Sequence, residues 1–183
     1  MKKNLIILVL LALPFFSYSQ KVVGKMFPAM ETETHDNQVI NLPEAGKGKY
    51  TLVGLAYSKK SEDDLNTWFN PIYQAFIHKS EKPSLFSSFA YDVNVYFVPM
   101  FTGVKATASE TAKKQASENV DPKLLPHLLF YKGDLKTYKD ALGFDKKDVP
   151  YFFVLDQNGK IVYATTGAYT EEKMDDIETI VAE

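Results

Sequence analysis

The stretch VPYFFVLDQNGKIVY, residues 149–163, decides the fold of this 183-residue chain. A proline opens the apolar run Tyr151–Leu155, and such a run is typical of a strand that is buried on both faces. A polar segment follows that contains Asn158-Gly159, a pair that favours a tight hairpin turn. The apolar pattern resumes at Ile161. These residues therefore predict a buried β-hairpin.

The rest of the chain alternates strand and helix patterns, which indicates an α/β fold with a mixed central sheet. Two nearly continuous apolar runs, Tyr50–Tyr57 and Val93–Met100, predict buried strands of a parallel sheet. Apolar spacings of three and four residues predict a helix that is capped by Ser61 and kinked at Pro71. The other predicted elements are a hairpin of Lys25–Pro28 and Glu31–Leu42 with a turn at Asp36-Asn37, a short helical turn within Lys79–Asp92, a helix over Thr107–Asn119, a strand over His127–Tyr131, a helix over Lys136–Leu142 ended by Gly143, and a final helix capped by Thr170.

A proline-led strand, a D-x-x-G turn and a second strand together resemble the thioredoxin-like (redoxin, AhpC/TSA-type) superfamily. The resemblance runs from Phe27 to Glu183 and implies a thioredoxin-like three-layer sandwich with a mixed central sheet. It also implies a cis peptide bond at Val149-Pro150. Where the superfamily has its C-x-x-C motif, this chain has Ser58-Lys59-Lys60-Ser61, and it contains no cysteine at all. Because the thiolate is the reactive species of disulfide exchange and thiol peroxidase chemistry, the chain has no such activity of its own.

Shorter motifs also resemble the mitochondrial ATP-synthase assembly factor family. Members of that family pair a G-K-x-x-L-V strand and a downstream tryptophan with a late D-x-x-x-x-I strand pair. The corresponding residues here are Gly48–Val53, Trp68 and Asp156–Ile161. This resemblance implies an accessory role in assembly.

The N-terminus has the composition of a signal peptide. Lys2 and Lys3 precede an apolar run, Leu5–Leu13, which is short for a membrane span and is followed by small residues that a signal peptidase recognises. We therefore expect a signal peptide at residues 1–19 and one domain at residues 20–183. The protein is then expected to be exported to the periplasm or secreted, without stable membrane insertion after cleavage; an uncleaved anchor is the alternative.

Composition argues against several kinds of ligand. All 21 basic residues are lysines, so the bidentate arginine contacts common in nucleic-acid recognition are absent. Three isolated histidines and the absence of cysteine give no metal-ligand spacing. The acidic clusters Glu62–Asp64 and Asp175-Asp176 lack the glycine-containing loop of an EF-hand. Neither a metal nor a cofactor is expected.

The two serines have two interpretations. In the first, Ser58 is a nucleophile that Lys59 or Lys60 activates, as in a hydrolase, but an exposed lysine stays protonated and cannot act as a base. In the second, Ser61 is the N-cap of a helix and Ser58 is a loop residue, which is the commoner role of such serines.

The residues around the serines and the proline are expected to form a groove that binds a protein or peptide without redox chemistry. We expect an exported, non-catalytic protein that binds a partner in the cell envelope, as an assembly or folding accessory. An oxidoreductase assigned by fold and a hydrolase that uses Ser58 are the alternatives. Trp68 is expected to lie in the core. The predicted groove consists of Tyr57, Ser58, Lys59, Lys60, Ser61, Val149 and Pro150.

Overall fold

Strands and helices alternate along most of the protein, in a computed structural model that describes residues 19–78 and 91–182. The strands in these ranges are β1 (Met30–Glu33), β2 (Val39–Leu42), β3 (Tyr50–Ala56), β4 (Val93–Thr102), β5 (Tyr131–Gly133), β6 (Tyr151–Leu155) and β7 (Ile161–Thr166). The helices are α1 (Ser19–Val22), α2 (Lys59–Asn66), α3 (Phe69–Ile72), α4 (Ser109–Asn119), α5 (Lys136–Leu142) and α6 (Glu171–Val181).

Five of the strands form the central sheet, in the order β5-β4-β3-β6-β7. The strands β3, β4 and β5 are parallel, whereas β6 is antiparallel to β3 and β7 is antiparallel to β6. This is the mixed sheet that the sequence predicts. The apolar runs produce it because a central strand covered on both faces must be apolar on both.

Two apolar cores cover the two faces of the sheet. The first core packs Leu142 of α5 and residues of the N-terminal segment against one face, and the second packs α2, α3 and α6 against the other. Gly54 in β3 allows the second layer to come close: a Cβ atom there would lie 2.6 Å from Phe152 and 3.0 Å from Leu65. A glycine is therefore needed where helix and sheet meet.

The predicted long helix is interrupted N-terminal to Pro71, and not at the proline itself. The helix α2 ends at Asn66, α3 begins at Phe69, and a π-helical turn over Tyr73–Ile77 follows. A proline ring clashes with the carbonyl group four residues before it, which here belongs to Thr67. The break therefore falls one turn ahead of the proline.

The predicted N-terminal hairpin forms as β1 and β2, but Lys25–Pro28 lies outside it, since Met26 bridges Lys160 instead. A buried lysine attaches the hairpin to α4. Asn37 in its turn has a φ of 66°. The ammonium group of Lys113, whose side chain is 3% exposed, contacts the carboxylates of Glu33 and Glu110 and the side-chain oxygen of Asn37. The hairpin continues the sheet edge through a bridge between Glu33 and Phe130.

Several local predictions are confirmed and two are displaced. The hairpin β6–β7, the C-cap Gly143 with a φ of 67°, and the N-cap Thr170 are as expected. The strand predicted at His127–Tyr131 begins later, at Tyr131, because a 3-10 turn that contains a proline occupies Leu125–His127. The helix predicted from Thr107 begins at Ser109, after a 3-10 turn.

The predicted signal peptide at residues 1–19 lies almost entirely outside the described residues, as does most of the helical turn predicted within Lys79–Asp92. In the described ranges, no helix combines the length and apolar character that crossing a bilayer requires.

Candidate functional site

The predicted groove residues come together at one edge of the sheet, where β3 ends. Tyr57–Ser61 follow β3, and Val149-Pro150 precede β6. The antiparallel register pairs Leu55 with Tyr151, so the two segments lie side by side. In α/β folds, ligands commonly bind at the carboxyl ends of parallel strands.

Ser58, and not Ser61, is the N-cap of α2, so the predicted cap is wrong. The Ser61 N–H donates to Ser58 Oγ at 3.1 Å, and the Ser58 N–H donates to Ser61 Oγ at 2.9 Å. This reciprocal pair is a capping box. The backbone of Ser58 is extended, as an N-cap requires, whereas Ser61 lies inside the first turn.

The two hydroxyl groups of this serine pair, Ser58 and Ser61, are both engaged. Ser61 is 0% exposed; its Oγ also accepts from the Tyr57 N–H at 3.1 Å and donates to the Ser58 carbonyl at 2.9 Å. Ser58 is 4% exposed, and its Oγ donates to the Asp148 carboxylate at 3.0 Å. The serine pair therefore joins β3, α2 and the loop before β6.

Among the described residues, the contacts of Ser58 include no base that could activate it. The acceptor of its proton is Asp148, and a carboxylate is a much weaker base than the imidazole of hydrolases. Lys59 and Lys60 are exposed, and the Lys59 ammonium lies 3.2 Å from Asp63 and 3.9 Å from Glu62. A charged, exposed lysine cannot accept the proton, so the contacts of Ser58 do not support a hydrolase.

The sequence by itself left the isomer of Val149-Pro150 open, and the cis form that the superfamily resemblance implies is not the one found. In residues 19–78 and 91–182 the only cis peptide bond is Leu42–Pro43. An X–Pro bond favours the trans isomer by about 0.5–1 kcal/mol unless its surroundings oppose it. Pro150 is buried in the trans form, and its carbonyl accepts from the Gly167 N–H at 2.9 Å. The proline still opens β6, as the sequence predicts.

Two tyrosines hold the loop that precedes Pro150. The hydroxyl groups of Tyr57 and Tyr151 each donate to the Lys146 carbonyl at 2.8 Å, and their rings pack against Phe144 with centroid distances of 5.4 and 4.4 Å. Burial raises the pKa of both phenols above the ordinary value, so both remain protonated donors at neutral pH. The loop is thereby fixed beside α2.

A cleft of about 430 Å³ opens beside this loop, and we call it the lysine cleft. It lies where β3 and β4 end, and α5 forms one of its walls. Of the predicted groove residues, only Tyr57 lines it; sequence reasoning missed the others, because they are distant in the chain and belong to no motif. The lining residues are Tyr57, Thr102, Gly103, Leu135, Lys139, Asp145 and Lys147.

A second cleft, of about 160 Å³, lies between α2 and α4 and has an apolar floor that includes Leu65, Phe101 and Phe130. Trp68 does not enter either cleft. It is 0% exposed, its Nε1–H donates to the Gly167 carbonyl at 3.0 Å, and its ring lies 4.2 Å from that of Phe152. The prediction that Trp68 belongs to the core is confirmed.

Metal-ligating groups are scattered in the part of the chain that the structure describes. No three histidine or acidic side chains there are grouped so as to hold a metal ion. His127 Nδ1 lies 3.0 Å from the Val95 carbonyl, at the opposite edge of the sheet from the serine pair.

Solved structures with the same fold include redox proteins and an assembly protein. The exposed lipoprotein thioredoxin of Streptococcus pneumoniae is 17% identical, with a TM-score of 0.54, and the match covers 84% of this chain and 99% of that one. BsSco, a member of the Sco family of cytochrome c oxidase assembly proteins, is 12% identical, with a TM-score of 0.54 and coverage of 87% and 93%. A peroxiredoxin-like protein of Aquifex aeolicus is 14% identical, with a TM-score of 0.50 and coverage of 87% and 86%.

These similarities establish the thioredoxin-like fold, as the sequence predicts, and at such identities they establish the fold alone. No curated protein matches the sequence. The family model of the ATP10 protein matches residues 11–183, nearly the whole chain, and confirms the expected resemblance to an ATP-synthase assembly factor family. This cysteine-free chain therefore belongs to the ATP10 protein family and has a thioredoxin-like fold.

Proposed function

We propose that this protein is an exported, non-catalytic accessory protein that binds a partner protein at the sheet edge around the serine pair. The serine pair supports this function most directly. Both hydroxyl groups lie where the thioredoxin-like superfamily has its C-x-x-C motif. They cap α2, and Ser58 also donates to Asp148. The serines therefore have a structural role at the position where redox relatives have reactive cysteines. The adjoining lysine cleft is open to a ligand.

The assembly of an ATP synthase is the pathway we propose for this partner. The match to the ATP10 protein family supports it. The fold is compatible with such work, since BsSco is described as one of the cytochrome c oxidase assembly proteins. The partner is then an envelope protein of that complex, held while the complex forms.

Export is part of the same proposal. The basic residues, apolar run and small residues at positions 1–19 support a cleaved signal peptide, and an exposed lipoprotein thioredoxin has the same fold. N-terminal sequencing of the protein purified from its native cells should begin at or near Gln20. An intact Met1 on the purified protein would refute cleavage.

Site-specific photocrosslinking tests the binding site. A benzoylphenylalanine placed at Lys60 or Lys147, both exposed at the groove edge, should capture one dominant partner, which mass spectrometry then identifies. The matched controls are Lys123 and Lys160, exposed lysines at the opposite edge of the sheet, and these should capture little. Equal capture from both edges, or none from the groove edge, would refute the proposal.

The amount of assembled ATP synthase in cells provides a second, functional test. Cells that lack the protein should contain less assembled ATP synthase on a native gel, and a variant with both Ser58 and Ser61 replaced by alanine, if it folds, should restore assembly, because no chemistry of these hydroxyls is required. Failure to restore assembly by a variant that keeps the circular dichroism spectrum and urea midpoint of the wild type would instead support a chemical role of these hydroxyls.

A further inference from the structure

The lysine cleft carries positive charge that the fold only partly balances. Lys139 in α5 and Lys147 in the loop before β6 both line it, and both are exposed. Within the described ranges, neither ammonium group takes part in an ion pair, whereas seven other lysine–carboxylate contacts are formed. Acceptors for these two cations are therefore not supplied by the described part of the protein.

One acidic residue, Asp145, lines the cleft together with the two lysines. The Asp145 carboxylate lies 3.1 Å from the Tyr151 hydroxyl, whose single proton it shares with the Lys146 carbonyl, and Asp148 accepts from Ser58 Oγ at 3.0 Å. Among the residues that line the cleft, Lys139 and Lys147 therefore outnumber Asp145, a local balance of +1 in a chain whose net charge is −2.

The helix that borders the groove adds to this positive potential. The first turn of α2 contains Lys59 and Lys60, although the positive end of a helix dipole favours acidic side chains there. Lys59 is compensated by Glu62 and Asp63, but Lys60 is not paired in the described structure. Lys60 therefore adds an exposed positive charge beside the serine pair.

From these charges we infer that the lysine cleft selects an acidic segment of the partner protein, with carboxylate side chains bound by Lys139 and Lys147. This inference rests on the proposed function and names the chemical class of its ligand. The volume of about 430 Å³ exceeds what one carboxylate fills, and its two lysines lie on different elements, α5 and the loop before β6. Several anionic groups spaced along an extended chain fit this arrangement better than a single small anion.

Fluorescence anisotropy with short labelled peptides tests the inference on the purified mature protein. A peptide of alternating Glu and Gly should bind, and its affinity should fall as salt is added, because exposed charges are screened. Peptides with Gln or Lys in place of Glu should not bind. The Lys139→Glu/Lys147→Glu variant should bind at least about tenfold more weakly, whereas Lys123→Glu/Lys160→Glu, with the same change in net charge, should bind like the wild type.

Three outcomes would overturn the inference. The first is equal loss of affinity in the two variants, which would indicate an effect of net charge alone. The second is equal binding of the Glu and Gln peptides. The third is competition by inorganic phosphate at the concentration of the peptide, which would indicate a site for free anions.

Photocrosslinking separates this inference from the proposed function. A partner that is still captured at Lys60 when Lys139 and Lys147 are glutamates refutes the acidic segment and leaves partner binding at the groove standing. Capture at Lys60 that is lost in this variant and kept in Lys123→Glu/Lys160→Glu supports both. The absence of any captured partner in the wild type refutes both.

Discussion

Replacing Ser61 by alanine should destabilise the protein far more than a serine at a helix start ordinarily does. Its Oγ accepts from the N–H groups of Tyr57 and Ser58, at 3.1 and 2.9 Å, and all three residues are buried. Alanine leaves both donors without that acceptor and removes half of the capping box. An unsatisfied buried donor costs about 1–3 kcal/mol, so two of them should lower the free energy of unfolding by about 2–6 kcal/mol.

Urea unfolding followed by the fluorescence of Trp68 measures this loss, because the only tryptophan of the chain is fully buried in the folded state. Ser117→Ala is the matched control: Ser117 is exposed on α4, and its Oγ donates to the Lys113 carbonyl at 3.0 Å. The control should change the free energy of unfolding by no more than about 0.5 kcal/mol.

The reasoning would be refuted if Ser61→Ala lost less than about 1 kcal/mol, since the donors would then have found water or another acceptor. Ser61→Cys provides a further comparison. A thiol is a weak acceptor, so this variant should lie between the wild type and Ser61→Ala in stability.

Three other predictions concern oxidation, the hairpin and pH. The Ser58→Cys/Ser61→Cys variant should form an intramolecular disulfide in air, since the two Oγ atoms lie 3.1 Å apart; two free thiols after oxidation, counted by mass spectrometry with a thiol label, would contradict this. Lys113→Met should lower the free energy of unfolding by about 2 kcal/mol, because Glu33 loses its buried cation, and should speed amide exchange in β1 and β2; unchanged exchange there would show that the hairpin does not depend on the lysine. Burial raises the pKa of Tyr131 to about 12 from 10.0, so the unfolded state loses this proton first as the pH rises. The contribution of the phenol to the free energy of unfolding should be complete below pH 10.0 and should fall as the pH rises toward 12. A urea midpoint that stays constant over that interval would contradict the burial of the phenol.

Local sequence signals were sufficient for most of the fold. The apolar run Tyr151–Leu155 with its Asn158-Gly159 turn produced the predicted hairpin, and Gly143 and Thr170 ended and began helices where expected. Each of these signals acts within a few residues: a turn needs a positive φ, and a helix end needs a cap. Their outcome therefore depends little on the rest of the chain.

The start of α2 shows where such signals become ambiguous. Ser58 and Ser61 are both good N-caps, and the acids that follow Ser61 favour a helix that begins there. The structure places the cap at Ser58 because β3 ends at Ala56, which leaves Ser58 extended, and because Asp148 accepts its hydroxyl proton. Asp148 lies 90 residues away from Ser58 in sequence, so a local pattern around Ser58 carries no information about it.

By itself, the sequence determined the mixed α/β fold, the buried Trp68 and the absence of thiol chemistry, since these follow from apolar periodicity and from residue identity. Only the tertiary structure decided that the serine pair is a structural contact, that Val149-Pro150 is trans, and that Lys139 and Lys147 share one cleft. The register of β3 with β6 brings Asp148 to Ser58, and the parallel order of β3 and β4 brings the end of β4 beside Tyr57. Strand pairing between distant segments creates these neighbours, and no spacing along the chain encodes them.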